Sequence, residues 1–346
     1  MNILVLTSSY LAPTYNQRIL SQVDYINSFA GMNAELENDL PLYEAECRIM
    51  EGSFDCVFPA VVFEYAPEKT QRFTFNTALY KMLLYHRQEF IGSDIFTQLL
   101  LNDKALTGHR SGMGLPCRII TRALWENRPD SAMALIEKSP WPVLVKPNTL
   151  SASLGISRDA IAYEKEEAAQ IIGRQFKNFP SLSELLLEHY LEEAKEYTVS
   201  VTGTGSWVIT APTALKSLNE GYEIYSFDNK RMAIQDRPVQ YATVSDFELA
   251  DRLSSSAKKL AQTFGLRDYC RFDFLTDQKG QIFLIDANTI PALGRNYLFP
   301  YVAEGVIAIE QLLALLIAAF SKRTNIPLPN QFLQSLPAPL LTQLGF

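Results

Sequence analysis

The segment Tyr269–Ala292, YCRFDFLTDQKGQIFLIDANTIPA, constrains this chain more than any other. Two runs that alternate apolar and polar residues flank a polar turn, Thr276–Gly280, and predict a β-hairpin. In the first run Arg271 and Asp273 share one face, with Cys270, Phe272 and Phe274 on the other. In the second, Asp286 and Asn288 share a face and Ile285 and Ala287 lie opposite. A turn centred on Asp277–Gly280 sets Arg271 opposite Asp286 and makes Asp273 a diagonal neighbour of Asp286. Two carboxylates, an amide and a guanidinium then crowd one face of a strand pair. Hard divalent cations take such oxygen donors, and Mg²⁺ is typically held by one or two carboxylates together with substrate phosphates. Arg271 beside them suits an anion or a developing oxyanion. The plain alternative is a solvated edge hairpin with scattered charges.

With 346 residues, the chain has material for two or three subdomains. A net charge of −7 argues against a general nucleic-acid binder, which needs a basic face. The four cysteines, Cys47, Cys56, Cys117 and Cys270, form no CxxC and read as thiols in a reducing compartment. His86, His109 and His189 have no metal-ligand spacing. The opening MNILVLTSS lacks the features of a signal peptide and reads as a buried strand. Val306–Phe320 is too short to span a bilayer and reads as a buried helix. A cytoplasmic protein with no membrane partner is the expectation.

Strands are expected at Asn2–Thr7, Cys56–Phe63, Cys117–Ile120, Trp141–Lys146, Leu185–His189, Tyr197–Thr202 and Trp207–Ala211. Helices are expected near Asn16–Phe29, Thr74–His86, Ile95–Arg110, Glu164–Gln175 and Phe247–Phe264. The tail Pro327–Phe346 is proline-rich and apolar, and is expected to pack over the surface. After the strand ending in Lys146-Pro147, the small-residue loop 148–157 can bring backbone N–H groups close to phosphate oxygens. A lysine at a strand end supplies a point charge for the same ligand. Acids from Glu188 to Glu196 lie between two strands, where they suit an adenine amino group and a ribose hydroxyl or form a solvated turn. Gly221–Asp236 is a long polar loop of the kind that serves as a lid, with Lys230 able to clamp phosphates.

In order, NDKALT (102–107), VLVKPNTLSASLGIS (143–157), LLLEHYLEEAKEYTVSV (185–201), YSFDNKR (225–231), RFDF (271–274) and IDANTIPAL (285–293) resemble the ATP-grasp superfamily. Within it they look like the D-alanine–D-alanine ligase group, over Ile91 to Pro300. The resemblance implies mixed α/β and α+β architecture: an N-terminal α/β domain, 1–95, then ATP-grasp subdomains at 96–182 and 183–322, and a tail, 323–346. It implies ATP and Mg²⁺ as cofactors. Lys104, Lys146, Ser151 and Ser153 would meet ATP, Glu188 and the Leu191 backbone the adenine, and Glu196 the ribose. Lys230 would reach the γ-phosphate, and Asp273, Asp286 and Asn288 would hold Mg²⁺. Arg271 would steady the oxyanion of the tetrahedral intermediate, with Lys230 and Arg231 beside it as catalytic residues. The implied reaction makes an acyl phosphate from a carboxylate, which an amine then attacks.

The chain departs from that pattern where substrates are chosen. Asp286 stands for the usual Glu, Ala152 for the first serine of the small loop, and Arg231 for a tyrosine after the lid lysine. Ala292 replaces a glycine, and Tyr297 a serine expected near the second substrate. Arg231 and Arg295 are candidate carboxylate clamps, and Tyr297 a candidate substrate contact. The run MNILVLTSSYLAPTYN and the altered loop and lid also resemble the ligases of cyanobacterial mycosporine biosynthesis. That likeness implies mycosporine-glycine and an amino acid of the Ser or Thr type as substrates. A dipeptide ligase remains the alternative, and a non-catalytic ATP-binding sensor another. A homodimer, common in the family, is left open.

Overall fold

The computed structural model describes residues 1–7, 13–60, 77–150, 153–218 and 238–346. Among these, the strands form three sheets. The first is parallel, ordered β2-β1-β3, from β1 (Asn2–Thr7), β2 (Asn33–Asn38) and β3 (Cys56–Pro59). The second is antiparallel, ordered β4-β7-β5-β6, from β4 (Cys117–Thr121), β5 (Val143–Pro147), β6 (Ile161–Ala162) and β7 (Glu184–His189). The third is antiparallel, ordered β10-β9-β8-β11-β12, from β8 (Lys195–Thr204), β9 (Trp207–Ser217), β10 (Val239–Thr243), β11 (Tyr269–Thr276) and β12 (Ile282–Asn288).

Each sheet buries an apolar face against helices. The second sheet packs on helix Lys165–Asn178 through Val143, Val145, Leu185 and Leu187 on one side and Ala168, Ile172 and Phe176 on the other. The third covers helix Phe247–Thr263, whose Leu253, Ala257, Leu260 and Ala261 form one stripe at helical spacing. That helix starts where Asp246 accepts a hydrogen bond from the Leu249 N–H at 3.0 Å. The apolar run near the C-terminus is helix Leu312–Thr324, buried along Leu312–Ser321 and joined to the core of the first sheet. No helix among the described residues is long and apolar enough to cross a membrane.

The structure corrects three expectations here. The single helix expected over Ile95–Arg110 is two, Ile95–Asn102 and Lys104–Ser111. Asp103 breaks it: its carboxylate caps the second helix by accepting from the Leu106 N–H at 2.8 Å. The tail does not merely cover the surface. Phe332, Leu336, Leu340 and Leu344 are buried in the same core as β1 and β3. The hairpin register also differs. Arg271 pairs with Asn288 and Asp273 with Asp286, and the register then shifts between Asp273 and Phe274. Thr276 pairs with Ile282, so the loop holds one more residue than Asp277–Gly280. The shift leaves Ile285 as an extra residue, which is how a β-bulge changes the face a strand presents.

Candidate functional site

Between the second and third sheets lies a cleft enclosing about 800 Å³, part of it open to solvent. The bulge decides its chemistry. It puts Asp273 and Asp286 side by side and turns Ile285 into the cleft beside Leu275 and Leu115, not away from it as alternation alone would have it. One end of the cleft is therefore an apolar slot, bounded also by Leu144, Leu150, Ile156 and Leu191. The other end is charged.

Lys146 and Glu188 come from neighbouring strands β5 and β7 and pair at 2.7 Å, with side chains only 4% and 9% exposed. Lys104, the first residue of the helix that Asp103 caps, donates to the Leu150 carbonyl at 2.7 Å and lies 3.4 Å from Asp286. Asn148 is fully buried and fixes that approach: its side-chain oxygen accepts from the Ala105 N–H at 2.9 Å, and its amide donates to Glu184 at 2.7 Å. On β11, Arg271 grips Asp273 with two hydrogen bonds of 2.8 and 2.7 Å. Thr198 of β8 donates to the same carboxylate at 2.8 Å. Burial opposes the Arg271 charge, but the Asp273 carboxylate outweighs it and raises the guanidinium pKa above its ordinary value. The Asn288 side-chain oxygen accepts from the Ile290 N–H at 2.9 Å, which turns the chain out of β12 and uses one of the oxygen's two lone pairs. Burial pushes up both the Tyr190 hydroxyl and the Cys117 thiol, which sits opposite Glu188 on β4.

Of the residues singled out in the sequence, Lys104, Lys146, Ser153, Glu188, Leu191, Glu196, Asp273 and Asp286 line this one cleft. Arg271 and Asn288 stand next to it as a cross-strand pair. Ser151, Lys230 and Arg231 lie outside the described residues. Arg295 is exposed on the loop after β12. Tyr297 needs correction. It is 1% exposed, and its hydroxyl is shared with Thr202 at 2.7 Å and donated to the Val201 carbonyl at 2.9 Å. A side chain so engaged anchors the loop to β8 and has no hydroxyl to offer a substrate. Thr198 and Asn148 were missed. Thr198 carries a signal in hindsight, since a polar residue among the apolar residues of β8 must find a partner. Among the described residues no three His, Cys, Asp or Glu side chains converge as a metal cluster. The hairpin offers two carboxylates and an amide.

The segment 112–318 matches the family model described as D-ala D-ala ligase C-terminus. The chain is 26% identical over 230 residues to a D-alanine–D-alanine ligase of Chlorobium phaeovibrioides, covering 64% of this chain and 61% of that one. It is 27% identical over 251 residues to the enzyme of the same name from Streptococcus mutans, covering 69% and 68%. The match thus spans less than two thirds of the Chlorobium protein. The fold is similar to that of VanG D-Ala:D-Ser ligase from Enterococcus faecalis, with a TM-score of 0.66 at 17% identity over 92% of this chain and 99% of that one. It is also similar to a D-alanine–D-alanine ligase from Bacillus anthracis complexed with ATP, with a TM-score of 0.62 at 18% identity over 94% and 99%. These neighbours identify the architecture as the ATP-grasp fold. Because the matched segment supplies both sheets that wall the cleft, the chain belongs to the D-ala D-ala ligase C-terminus family.

Proposed function

We propose that this protein is an ATP-dependent ligase that forms a C–N bond and releases ADP and phosphate. The observation that carries this reading is the cleft itself: an apolar slot running into buried Lys104 and Lys146, which face the Asp273–Asp286 pair. A nucleotide has the same polarity, with a flat base at one end and a polyanion at the other. Glu188 and the backbone at Leu191 would read the base, and Glu196 the ribose. Lys104, Lys146 and Ser153 would hold the phosphates. Ser151, Lys230 and Arg231 are assigned with them from the sequence.

The hairpin's oxygen donors fit Mg²⁺. Arg271 and Thr198 use some of the lone pairs of Asp273, but a carboxylate has about four such sites. Asp273, Asp286 and Asn288 would hold the ion, which when bound neutralises phosphate charge. Arg271 donates two of its five N–H groups to Asp273 and keeps the rest for an oxyanion. In the reaction, an acid oxygen of the acceptor attacks the γ-phosphorus and ADP leaves. The amine then attacks the activated carbon, loses a proton, and phosphate departs. Such catalysis rests on positioning and charge stabilisation.

Two acceptors follow from different observations. The N-terminal run and the Ala152 and Arg231 substitutions favour mycosporine-glycine joined to an amino acid of the Ser or Thr type, where a vinylogous acid oxygen is activated and an imine forms. The family match and the relatives named for D-alanine support dipeptide formation at least as well. Purified protein would be assayed for Mg²⁺-dependent ADP release with mycosporine-glycine plus each amino acid, and in parallel with D-alanine alone. ADP release together with an imine product by mass establishes the first acceptor, and release with D-alanine alone the second. ATP that binds but yields no ADP with any pair would overturn the ligase reading in favour of a sensor.

A further inference from the structure

The substrate-facing residues expected from the sequence, Arg231, Arg295 and Tyr297, all come from the last third of the chain. The structure brings another segment to the loop after β12. Helix Pro13–Asn27, which follows β1, lies against Leu293 and Gly294, and Gln22 reaches the Leu293 carbonyl at 3.4 Å. One turn earlier on the same face, Arg18 covers Gly294: its Nη1 stands 3.0 Å from where a Cβ would be. A Cβ there would press on the guanidinium and shift it by a few tenths of an ångström. The loop is fixed from the far side by Tyr297, whose N–H donates to the Gly294 carbonyl at 2.9 Å while its hydroxyl is locked onto β8.

Two features of this seam call for a ligand. First, Arg18, half-buried in the seam, and Arg295, exposed and next in the chain after Gly294, have no acidic partner among the described residues. Second, Gln22 is fully buried, yet its Oε1 has no hydrogen-bond partner among the described residues and its one bond is at the outer limit of length. Buried polar atoms are nearly always paired, so a loosely bonded seam beside unpaired cations points to something that seats there. Gly294 is six residues beyond Asn288, at most about 20 Å along an extended chain, and the turn at Ile290 brings it closer.

We propose that Arg18, with Arg295, binds the carboxylate of the amino acid that supplies the amine. The identity of that ligand rests on the ligase reading above. An amino acid used through its nitrogen keeps its carboxylate through the reaction, and a guanidinium fork is the side chain that holds a carboxylate in fixed orientation. Arg18 is thus a specificity-determining residue contributed by the N-terminal segment to a site otherwise built by the last sheet.

The test compares carboxylates with their amides on the full chain. Binding of D-alanine, D-alaninamide, L-serine and L-serinamide would be measured by calorimetry in the presence of a non-hydrolysable ATP analogue and Mg²⁺. Wild-type protein should prefer at least one acid over its amide. Arg18→Ala should weaken that acid at least tenfold and leave the amide and nucleotide affinities unchanged, with partial recovery in Arg18→Lys. Gly294→Ala, which displaces the guanidinium without removing it, should weaken the same acid. Equal binding of the acid by wild type and Arg18→Ala overturns the proposal, as does a wild-type protein that binds none of the four. A parallel loss of acid, amide and nucleotide overturns it too, since that marks a structural role. Arg18-dependent binding without any ADP release in turnover assays keeps the carboxylate site and removes the ligase. ADP release by Arg18→Ala with an unaltered amino-acid KM does the reverse.

Discussion

Two ion pairs among the described residues, Arg323–Asp268 and Lys146–Glu188, are spent differently. Arg323 and Asp268 join through two hydrogen bonds of 2.9 Å. Asp268 accepts a third from the Gly92 N–H at 2.8 Å, and Arg323 donates to the Phe90 carbonyl at 2.9 Å. Asp268 is wholly buried, and its own backbone bonds to Gly203 and Thr204 at the end of β8. That pair ties four stretches of chain together and has little capacity left over. Lys146 and Glu188 share one hydrogen bond, although a lysine has three donors. They face the cleft, where the rest of that capacity meets whatever enters. A pair that uses its bonding on protein holds the fold, and a pair that withholds it has capacity left for the nucleotide proposed above.

The largest effect is expected where the bonding is complete. Asp268→Ala leaves Arg323 buried without its partner, which costs about 3–5 kcal/mol. Urea unfolding should show that loss, while activity per folded molecule stays near wild type. A stable but inactive Asp268→Ala protein would reverse the comparison. Lys146→Met should do the opposite, lowering kcat about 10²–10³-fold through lost charge stabilisation. Its stability should fall by only about 1–3 kcal/mol, because Glu188 borders the open cleft. Full activity in Lys146→Met would remove the lysine from the chemistry. Smallest is Glu188→Gln, which keeps an acceptor for Lys146 but removes the charge. It should unfold within about 1 kcal/mol of wild type. Nucleotide affinity should drop by about tenfold, equivalent to about 1.4 kcal/mol, and competition binding would show whether the charge matters at all.

The cleft's charged residues were legible because alternation gathers them on one face of each strand. Arg271, Asp273, Asp286 and Asn288 stand out as polar residues in apolar strands. Their register was not legible. A loop longer by one residue and a bulge at Ile285 depend on how the strands pack, and the bulge is what sets the two carboxylates directly opposite. Asp103 is visible within NDKALT, but its role as a cap only shows once the helix breaks there. Strand β2, NAELEN, was missed because its alternation rests on only two apolar residues, Ala34 and Leu36, too short a pattern to stand out in a polar run. Tyr297 was misplaced for the converse reason. Position in a motif pointed it at a substrate, whereas burial and two hydrogen bonds point it at β8. The seam of Arg18 and Gly294 joins residues far apart in sequence, and neither carries a local signal.

The central claim is that the cleft between the second and third sheets is a nucleotide site. Calorimetric titration of ATP with Mg²⁺ into wild-type protein and into Lys146→Met tests it most directly. The account predicts saturable one-site binding to wild type that weakens at least tenfold in the variant, with both proteins folded by circular dichroism. Equal affinity in the two, or no binding to wild type, would contradict it.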